Sequence, residues 1–510
     1  ACLSKGKIPI NSAFAKVVMT EAAYSIDNVV VTGYFDRTKS SFTGSQVSVK
    51  GDELRKVGSL NFMQAISAFD PSIRIVPNTE FGSDPNRVPE ITIRGENGFD
   101  LRSSADDARS NPNAPLYLLD GIEVSPTRVY DLDMNRIESF VILKDASATS
   151  LYGSRGANGV ILITTIPPKE GVIRVSANAN FTVSIPDLRD YNLMNATEKL
   201  EYERLAGVFK SRTNNREEQI ALDIKYNDRL AEVVRGVDTY RLSKPLRTSI
   251  NQRYNAFVEG GDRSFKYGIT LNYDSDKGVM KGSGRERYGI NVSFNYNIGT
   301  NFLIRNDLTV NNVEGSNSPY GSFSTYALQN PIERIYDKTT GDIIRSFAFN
   351  NAVNPLVNAS LPNTDINKYT EFQDNFNLDW RINKNFRVTG RASISKNLSK
   401  TEKYLSPLSS VFDKETDANK RGSYTTSNRT DLNFDGNITA SYNNTFADKI
   451  TANIGVGSNA ATADAIGDGY TATGFLSDNM RFVQYAQQFK ENSKPSGSFD
   501  KSRLIGFFAN

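Results

Sequence analysis

Beyond residue 170 the sequence is dominated by long runs of period-two alternation. Ile173, Val175, Ala177, Ala179, Phe181 and Val183 alternate with polar residues, and the pattern returns at 265–273, 288–296, 302–310, 376–382, 386–394, 434–442 and 450–456. With a strand near 250–259 and one starting at 502, about ten strands of ~10–13 residues are predicted, each with one apolar and one polar face. Their connections alternate in length. Short turns fall at 260–262, 298–300, 383–385 and about 443–448, and long polar segments at about 184–249, 275–285, 313–369, 398–426 and 460–501. A large soluble antiparallel β-protein with loops at both ends fits this less well than an antiparallel transmembrane β-barrel, which needs strands of this length and this asymmetry of connections. Lipid forces such a sheet to close, because an open edge there leaves backbone groups unpaired.

Composition removes most alternatives. The chain has 60 Lys+Arg against 57 Asp+Glu, a net charge of +3, so it lacks the electrostatic footprint of a nucleic-acid binder. It has no histidine and a single cysteine, Cys2. Histidine-based nucleophile pairs, histidine metal sites, intrachain disulfides and thiolate clusters are therefore excluded. An enzyme working through paired carboxylates stays open, but most of the common catalytic machinery is missing and no cofactor is expected. No run approaches the ~18–20 apolar residues of a membrane-spanning helix. Ala1-Cys2-Leu3-Ser4 lacks the charged start of a signal peptide, which reads as a clipped beginning.

Residues 50–168 have a different, mixed α/β texture. Ser59 is placed to cap a helix carrying Leu60, Met63, Ile66 and Phe69, stopped by Asp70-Pro71. Residues 91–95 alternate as a strand, and 116–119 and 122–124 form a hairpin around Asp120-Gly121, a pair that tolerates the positive φ of a tight turn. Residues 140–143 and 160–165 are further strands, with a short helix over 146–152 ending at Gly153. Residues 1–25 contain one candidate strand, 13–19, and no core.

Residues 137–165, IESFVILKDASATSLYGSRGANGVILITT, closely resemble the plug signature of the SusC/RagA family of TonB-linked outer-membrane proteins. ITIRG at 91–95, PLYLLDG at 115–121 and NAFVEGG at 255–261 occupy the places of further family segments, and 26–34 resembles the family's segment at the TonB box. The resemblance implies a mixed α/β plug domain over 37–168, preceded by the tail of an N-terminal β extension (1–25) and a TonB-box-like segment (26–36). A partial transmembrane barrel follows over 169–510. About ten of the ~22 strands of such a barrel are present, so the chain as written is not expected to close.

The resemblance assigns TonB contact to Asp27, Asn28, Val29, Val30, Val31 and Thr32, a β-branched run suited to adding a strand to a sheet edge. The plug signature comprises Arg94, Gly95, Asp120, Gly121, Lys144, Asp145, Tyr152, Gly153, Arg155, Gly156, Asn158 and Gly159. The glycines follow a helix and precede a strand, the reverse of a nucleotide fingerprint, and read as tight turns. Arg94, Glu138, Lys144, Asp145 and Arg155 read either as gating charges or as ordinary plug charges facing a polar lumen. Asp431 to Gly436 looks like the start of a calcium loop, but Tyr442 stands where its glutamate would be. The charged stretches 197–205 and 217–234 are predicted helices with a solvated face.

The function implied is TonB-dependent import of oligosaccharides or peptides across the outer membrane, without covalent chemistry. The implied partners are TonB, energised by the inner-membrane ExbB-ExbD complex, a SusD-like surface lipoprotein, and outer-membrane lipid. The alternatives are a surface receptor that reports ligand occupancy and a non-functional fragment of the importer.

Overall fold

In the computed structural model, the described residues are 29–31, 36–38, 46–57, 62–76, 84–93, 95, 113–144, 152, 155–446 and 450–509. β1 (Val29–Val31) pairs with β2 (Asp36–Thr38) as a separate antiparallel ribbon. There follow β3 (Gln46–Lys50), helix α1 (Gly51–Lys56), the short helix α2 (Phe62–Ala65), β4 (Ile73–Val76), β5 (Glu90–Ile93), β6 (Leu116–Leu119) and β7 (Ile122–Val124). Helix α3 (Pro126–Tyr130), β8 (Ile137–Leu143) and β9 (Val160–Thr165) complete this part. A five-stranded sheet runs β3-β8-β9-β6-β7, with β6 and β9 parallel, while β4 and β5 pair apart from it.

The sheet is buried on both faces, which is why β6, β8 and β9 read as continuous apolar runs. On one side Leu54, Phe62, Ile66, Phe140, Ile142, Ile161 and Ile163 form the main core, with Phe62 edge-on to Phe140 at 5.2 Å. On the other, Tyr152 packs with Leu116, Leu118, Val141, Leu143, Val160 and Leu162. The hairpin turn forms as its sequence dictates, with φ of 50° at Asp120 and 83° at Gly121 and Leu119 opposite Ile122. Of the helix expected from Ser59, the described part is Phe62–Ala65, which tightens into a 3₁₀ turn over Ile66–Ala68. Ser59, Leu60, the strand at 13–19 and residues 146–151 lie outside the described residues.

The rest of the chain is one antiparallel sheet. Its strands are β10 (Gly171–Ser184), β11 (Ser249–Gly261), β12 (Phe265–Lys277), β13 (Gly284–Ile298), β14 (Phe302–Ser316), β15 (Thr364–Arg381), β16 (Phe386–Leu405), β17 (Ser423–Phe446) and β18 (Ile450–Thr473). The two-residue β19 (Gln488–Phe489) and the long β20 (Ser496–Ala509) both pair with β18. Each strand up to β18 is bonded to its sequence neighbour, and the sheet does not close.

The sheet is inside-out relative to a soluble protein. Along β13, Arg285 and Arg287 are 7% exposed and Ser293 1%, whereas the intervening Tyr288 and Tyr296 are 54% and 46% exposed. The apolar face is bounded by two aromatic rows. Phe181, Tyr254, Tyr273 and Tyr288 touch in succession at 5.8, 6.1 and 4.8 Å. Phe265–Phe294, Phe302–Trp380 and Phe386–Tyr442 contacts at 5.8, 6.2 and 4.7 Å form the other. Phe265 and Tyr273 are eight residues apart on β12, roughly 26 Å of strand at ~3.3 Å per residue and about 20 Å of height at a tilt of ~40°, within the ~25 Å apolar band of an outer-membrane barrel. No described helix is long and apolar enough to cross a membrane.

The lengths of three connections are corrected. The connection predicted over 275–285 is a tight turn at 278–283, and those at 398–426 and 460–501 shrink to 406–422 and 474–495. The strands continue beyond the apolar band, and β17 and β18 each reach 24 residues. There both faces are polar, so the alternation vanishes while the pairing persists. Cross-strand pairs hold it, among them Lys368–Glu314 at 3.0 Å, Lys403–Asp365 at 3.2 Å and Tyr424–Glu402 at 2.6 Å. Residues 431–436 lie within β17.

The long connections share one end of the sheet and are laced together. Segment 185–248 carries the helices Ala196–Leu205 and Arg216–Val234, as its charge pattern predicted. Its inner side is packed as well as solvated: Leu200 and Phe209 join Ile332 of segment 317–363 in a small core, and Asn330 donates to Glu203 at 2.9 Å. Asn358 bonds Ser410 at 2.7 Å, Ser406 donates to Asp478, and Lys420 pairs with Glu491 at 2.6 Å.

β10 keeps one edge, and β20 its outer edge, without a strand partner among the described residues. In lipid each unpaired backbone group costs several kcal/mol. The 510-residue chain refolded alone into detergent or lipid is therefore expected to give the same gel mobility cold and boiled. A heat-modifiable, monomeric β-rich band would show that these strands close by themselves.

Candidate plug–barrel latch and family assignment

The segment that meets the barrel wall is shaped by its own capping residues. Ser125 caps α3, its hydroxyl accepting from the Arg128 N–H at 3.2 Å, and Pro126 supplies the helical φ at the first turn. The helix stops at Asp131, and Asp133 caps a 3₁₀ turn over Met134–Arg136 by accepting from the Asn135 N–H at 2.9 Å. Two consecutive short turns thus form a ridge that presents Arg128, Asp131, Asp133 and Arg136 to the barrel.

Each of the four meets the polar face of the large sheet. Arg285 of β13 donates to both oxygens of Asp131 at 3.1 and 2.9 Å and to the Tyr369 hydroxyl of β15 at 3.0 Å. The Tyr369 hydroxyl in turn donates to Asp131. The Asp131 and Arg285 side chains are each 7% exposed. Arg128 reaches Glu371 at 3.4 Å, and Asn255 donates to Asp133 at 2.6 Å. Arg136 donates to Thr270 at 2.6 Å and Asn291 at 3.2 Å and lies 5.0 Å from the centre of the Phe257 ring. Nearby, Asn86 donates to the carbonyls of Gly284 and Ser316 at 3.1 and 2.8 Å. The ridge and strands β10–β13 enclose a polar cavity of about 280 Å³.

The electrostatics set the two aspartates apart. Burial pushes the Asp131 carboxyl up, but Arg285 and Arg287 outweigh it and hold the group below the usual carboxylate range. Asp133 is raised, because burial there outweighs the Asn135 N–H and Arg287. A lowered native pKa contributes stability above the ordinary carboxylate range, lost as pH falls through the depressed value.

The predicted signature residues mostly shape the plug itself. Asp120 accepts from the Thr165 N–H and hydroxyl at 2.9 and 2.7 Å, tying the hairpin turn to β9. Lys144 pairs with buried Asp70 at 2.9 Å, and Arg155 with Glu123 at 2.5 Å. Asn158 donates to the Ala114 carbonyl at 3.4 Å, and Tyr152 is core. Gly95 and Gly159 have φ of 91° and 95°, and a Cβ on Gly159 would sit 3.0 Å from Ile93 Cδ1 and 3.3 Å from the Leu143 carbonyl. Gly121 and Arg155 come nearest the barrel: a Cβ on Gly121 would meet the Arg391 guanidinium, and Arg155 lies in the field of Asp435. Gly156 accepts from the Gly159 N–H at 3.0 Å. Val29, Val30 and Val31 form β1. Asp27, Asn28, Thr32, Arg94, Asp145 and Gly153 lie outside the described residues. The latch residues Arg128, Asp131, Arg285 and Tyr369 were not anticipated, although Arg285 and Arg287 share the polar phase of β13 and could have been flagged as a paired lumen charge.

Comparison with known proteins agrees with this architecture. Residues 38–160 match the TonB-dependent Receptor Plug Domain. The chain is 27% identical over 295 residues to the TonB-dependent receptor SusC of Bacteroides thetaiotaomicron, covering 56% of this chain and 26% of that protein. It is 28% identical over 278 residues to the TonB-dependent receptor P26 of Formosa agariphila, covering 53% and 25%. The RagAB peptide importer in its 'open-open' state superposes with a TM-score of 0.71 at 20% identity, covering 94% of this chain and 54% of that one. The aligned region thus spans about a quarter of each curated relative and about half of the RagAB receptor chain.

A domain that matches the TonB-dependent receptor plug, followed by an antiparallel sheet that superposes on such a receptor, makes the chain similar to TonB-dependent receptors of the outer membrane, a class that does no enzymatic chemistry. Within that class the proteins it is similar to include SusC in sequence and RagAB in fold.

Removing Asp131 leaves Arg285 buried without its partner, a change that typically costs 3–5 kcal/mol, whereas replacing a buried pair by apolar residues is often neutral. In the whole receptor, Asp131→Ala is expected to loosen the plug and raise outer-membrane permeability to a bulky antibiotic. Asp131→Leu with Arg285→Met is expected to restore the barrier. In the wild type, plug protection against protease should hold down through the ordinary carboxylate range, about pH 4, and be lost progressively as pH falls through the depressed value of Asp131. Equal permeability in all three proteins would deny the latch its role.

Proposed function

We propose that the chain forms the plug and first barrel strands of a TonB-dependent importer. Residues 37–168 act as the plug, 169–510 as barrel wall and outer loops, and 26–36 as the segment that TonB grips. Cargo arrives from the side of the laced connections. A pull by TonB, driven by the inner-membrane ExbB-ExbD complex, breaks the ridge contacts and moves the plug off the wall. The observation that carries this reading is the buried Asp131–Arg285–Tyr369 network, since it joins two separately folded sheets through polar groups that a rearrangement can re-solvate.

The cargo is an oligosaccharide or a peptide. The likeness to the RagAB peptide importer supports the peptide. A SusD-like lipoprotein is the partner at the outer mouth, a reading supported by the RagAB and SusC likenesses.

Val30→Pro in the full-length receptor tests the force path. Proline removes a backbone donor and does not fit within an added strand. Uptake of labelled cargo is expected to fall to background while binding at the outer face stays within about two-fold. Loss of both together would make β1 a structural strand.

A further inference from the structure

The contacts between plug and wall share a feature that a simple latch does not need: each plug residue engages two strands. Asp133 accepts from Asn255 of β11, whose amide also donates to Asn272 of β12 at 2.5 Å. Arg136 donates to Thr270 of β12 and to Asn291 of β13. Asn86, 8% exposed, donates to the carbonyls of Gly284 and Ser316, the outermost opposed pair of β13 and β14. A Cβ on Gly315 would run into its amide. Asp131 joins Arg285 of β13 to Tyr369 of β15. Arg128 reaches Glu371 of β15, which also accepts from Asn311 of β14 at 2.9 Å. The plug thus crosses five consecutive strands, β11 to β15, in overlapping steps.

Such paired contacts exist only when the strands stand in their final register, because a slip of one residue turns every lumen-facing group outward. The connections decide where that help is needed. β11 to β14 are joined in succession by the short turns at 262–264, 278–283 and 299–301, and pair as local hairpins. Between β14 and β15 lies the long connection 317–363, whose closure costs more chain entropy and slows pairing. Asp131 and Arg128 are the plug residues that stitch across this junction. We propose that the plug has a second function, as the assembly template that brings β15 into register against β11–β14 before the barrel closes. It precedes the wall in the chain and carries two apolar cores of its own, so it presents the ridge while the wall is still forming. Once the barrel is closed, backbone pairing holds the register, and the plug can leave the wall without the strands coming apart. The role rests on the reading that the whole receptor closes into a barrel, and not on its cargo or on TonB.

The test follows barrel closure in time. The whole receptor is unfolded in urea and refolded into phospholipid vesicles, and the heat-modifiable band is followed on cold gels. Tyr369→Phe with Glu371→Gln removes the wall's half of the two stitches and leaves the plug sequence intact. Arg128→Ala with Asp131→Ala removes the plug's half. Each pair is expected to slow the appearance of the band about five-fold or more, and all four substitutions together no further than either pair, since both break the same contacts. A wild-type rate in either pair would overturn the template and leave the ridge a latch that engages only after closure. Slowing that multiplies in the combination would place the effect in the wall itself and overturn it too. Where the wall pair does not close at all, a protease-protected plug beside an open wall supports the template. Loss of that protected plug would show that the plug needs the wall, the reverse of the proposal. A wild-type receptor with no heat-modifiable band would overturn the barrel reading, and the template with it.

Discussion

The structure depends on the demand that backbone amides be paired where water is absent. In an apolar medium no solvent can replace a missing partner, and the registers from β10 to β18, broken only by a shift between Gly171 and Arg174, supply the pairing. Once the backbone is satisfied by neighbours, the side chains are free to invert the usual order, with tyrosine and phenylalanine outside and arginine, asparagine and serine within. That polar interior allows a second, separately folded sheet to dock by charge and hydrogen bonding.

Docking of this kind has particular energetics. Buried ion pairs contribute little net stability compared with apolar packing, because desolvation offsets attraction, yet losing one partner is expensive. A plug held mainly by such pairs is firmly placed while every group is matched and comparatively inexpensive to release when water replaces all the partners together. The apolar contacts stay within each sheet, as the two cores of the plug show. Movement of the plug need not expose a hydrophobic surface.

The sequence disclosed whichever features repeat or use special residues. Alternation located the strands within the apolar band, Asp120-Gly121 announced a hairpin with two positive φ values, and the charge pattern of 217–234 marked a helix found at Arg216–Val234. The extended ends of β15–β18 were illegible because a strand polar on both faces has no period to detect. The latch was hidden for a related reason. Asp131 and Tyr369 are 238 residues apart, and neither belongs to a pattern that predicts the other. Only the fold brings a helix stop in one sheet to the polar phase of another. The plug signature stood out because it encodes turns and internal ties, which are local, whereas the contacts between plug and wall are not.

The length of β17 and β18 has a consequence for where the molecule meets its surroundings. Each has 24 residues, roughly 80 Å of chain at ~3.3 Å per residue. At a tilt of ~40° that is on the order of 60 Å of height, against an apolar band of ~25 Å. Even allowing for a short inner margin, the wall rises roughly 30 Å past the lipid. It stands as a stiff, hydrogen-bonded parapet, and the connections at its rim brace one another. The connections therefore stand well above the headgroup layer, on a rim whose shape is set by a sheet and not by the membrane that carries it.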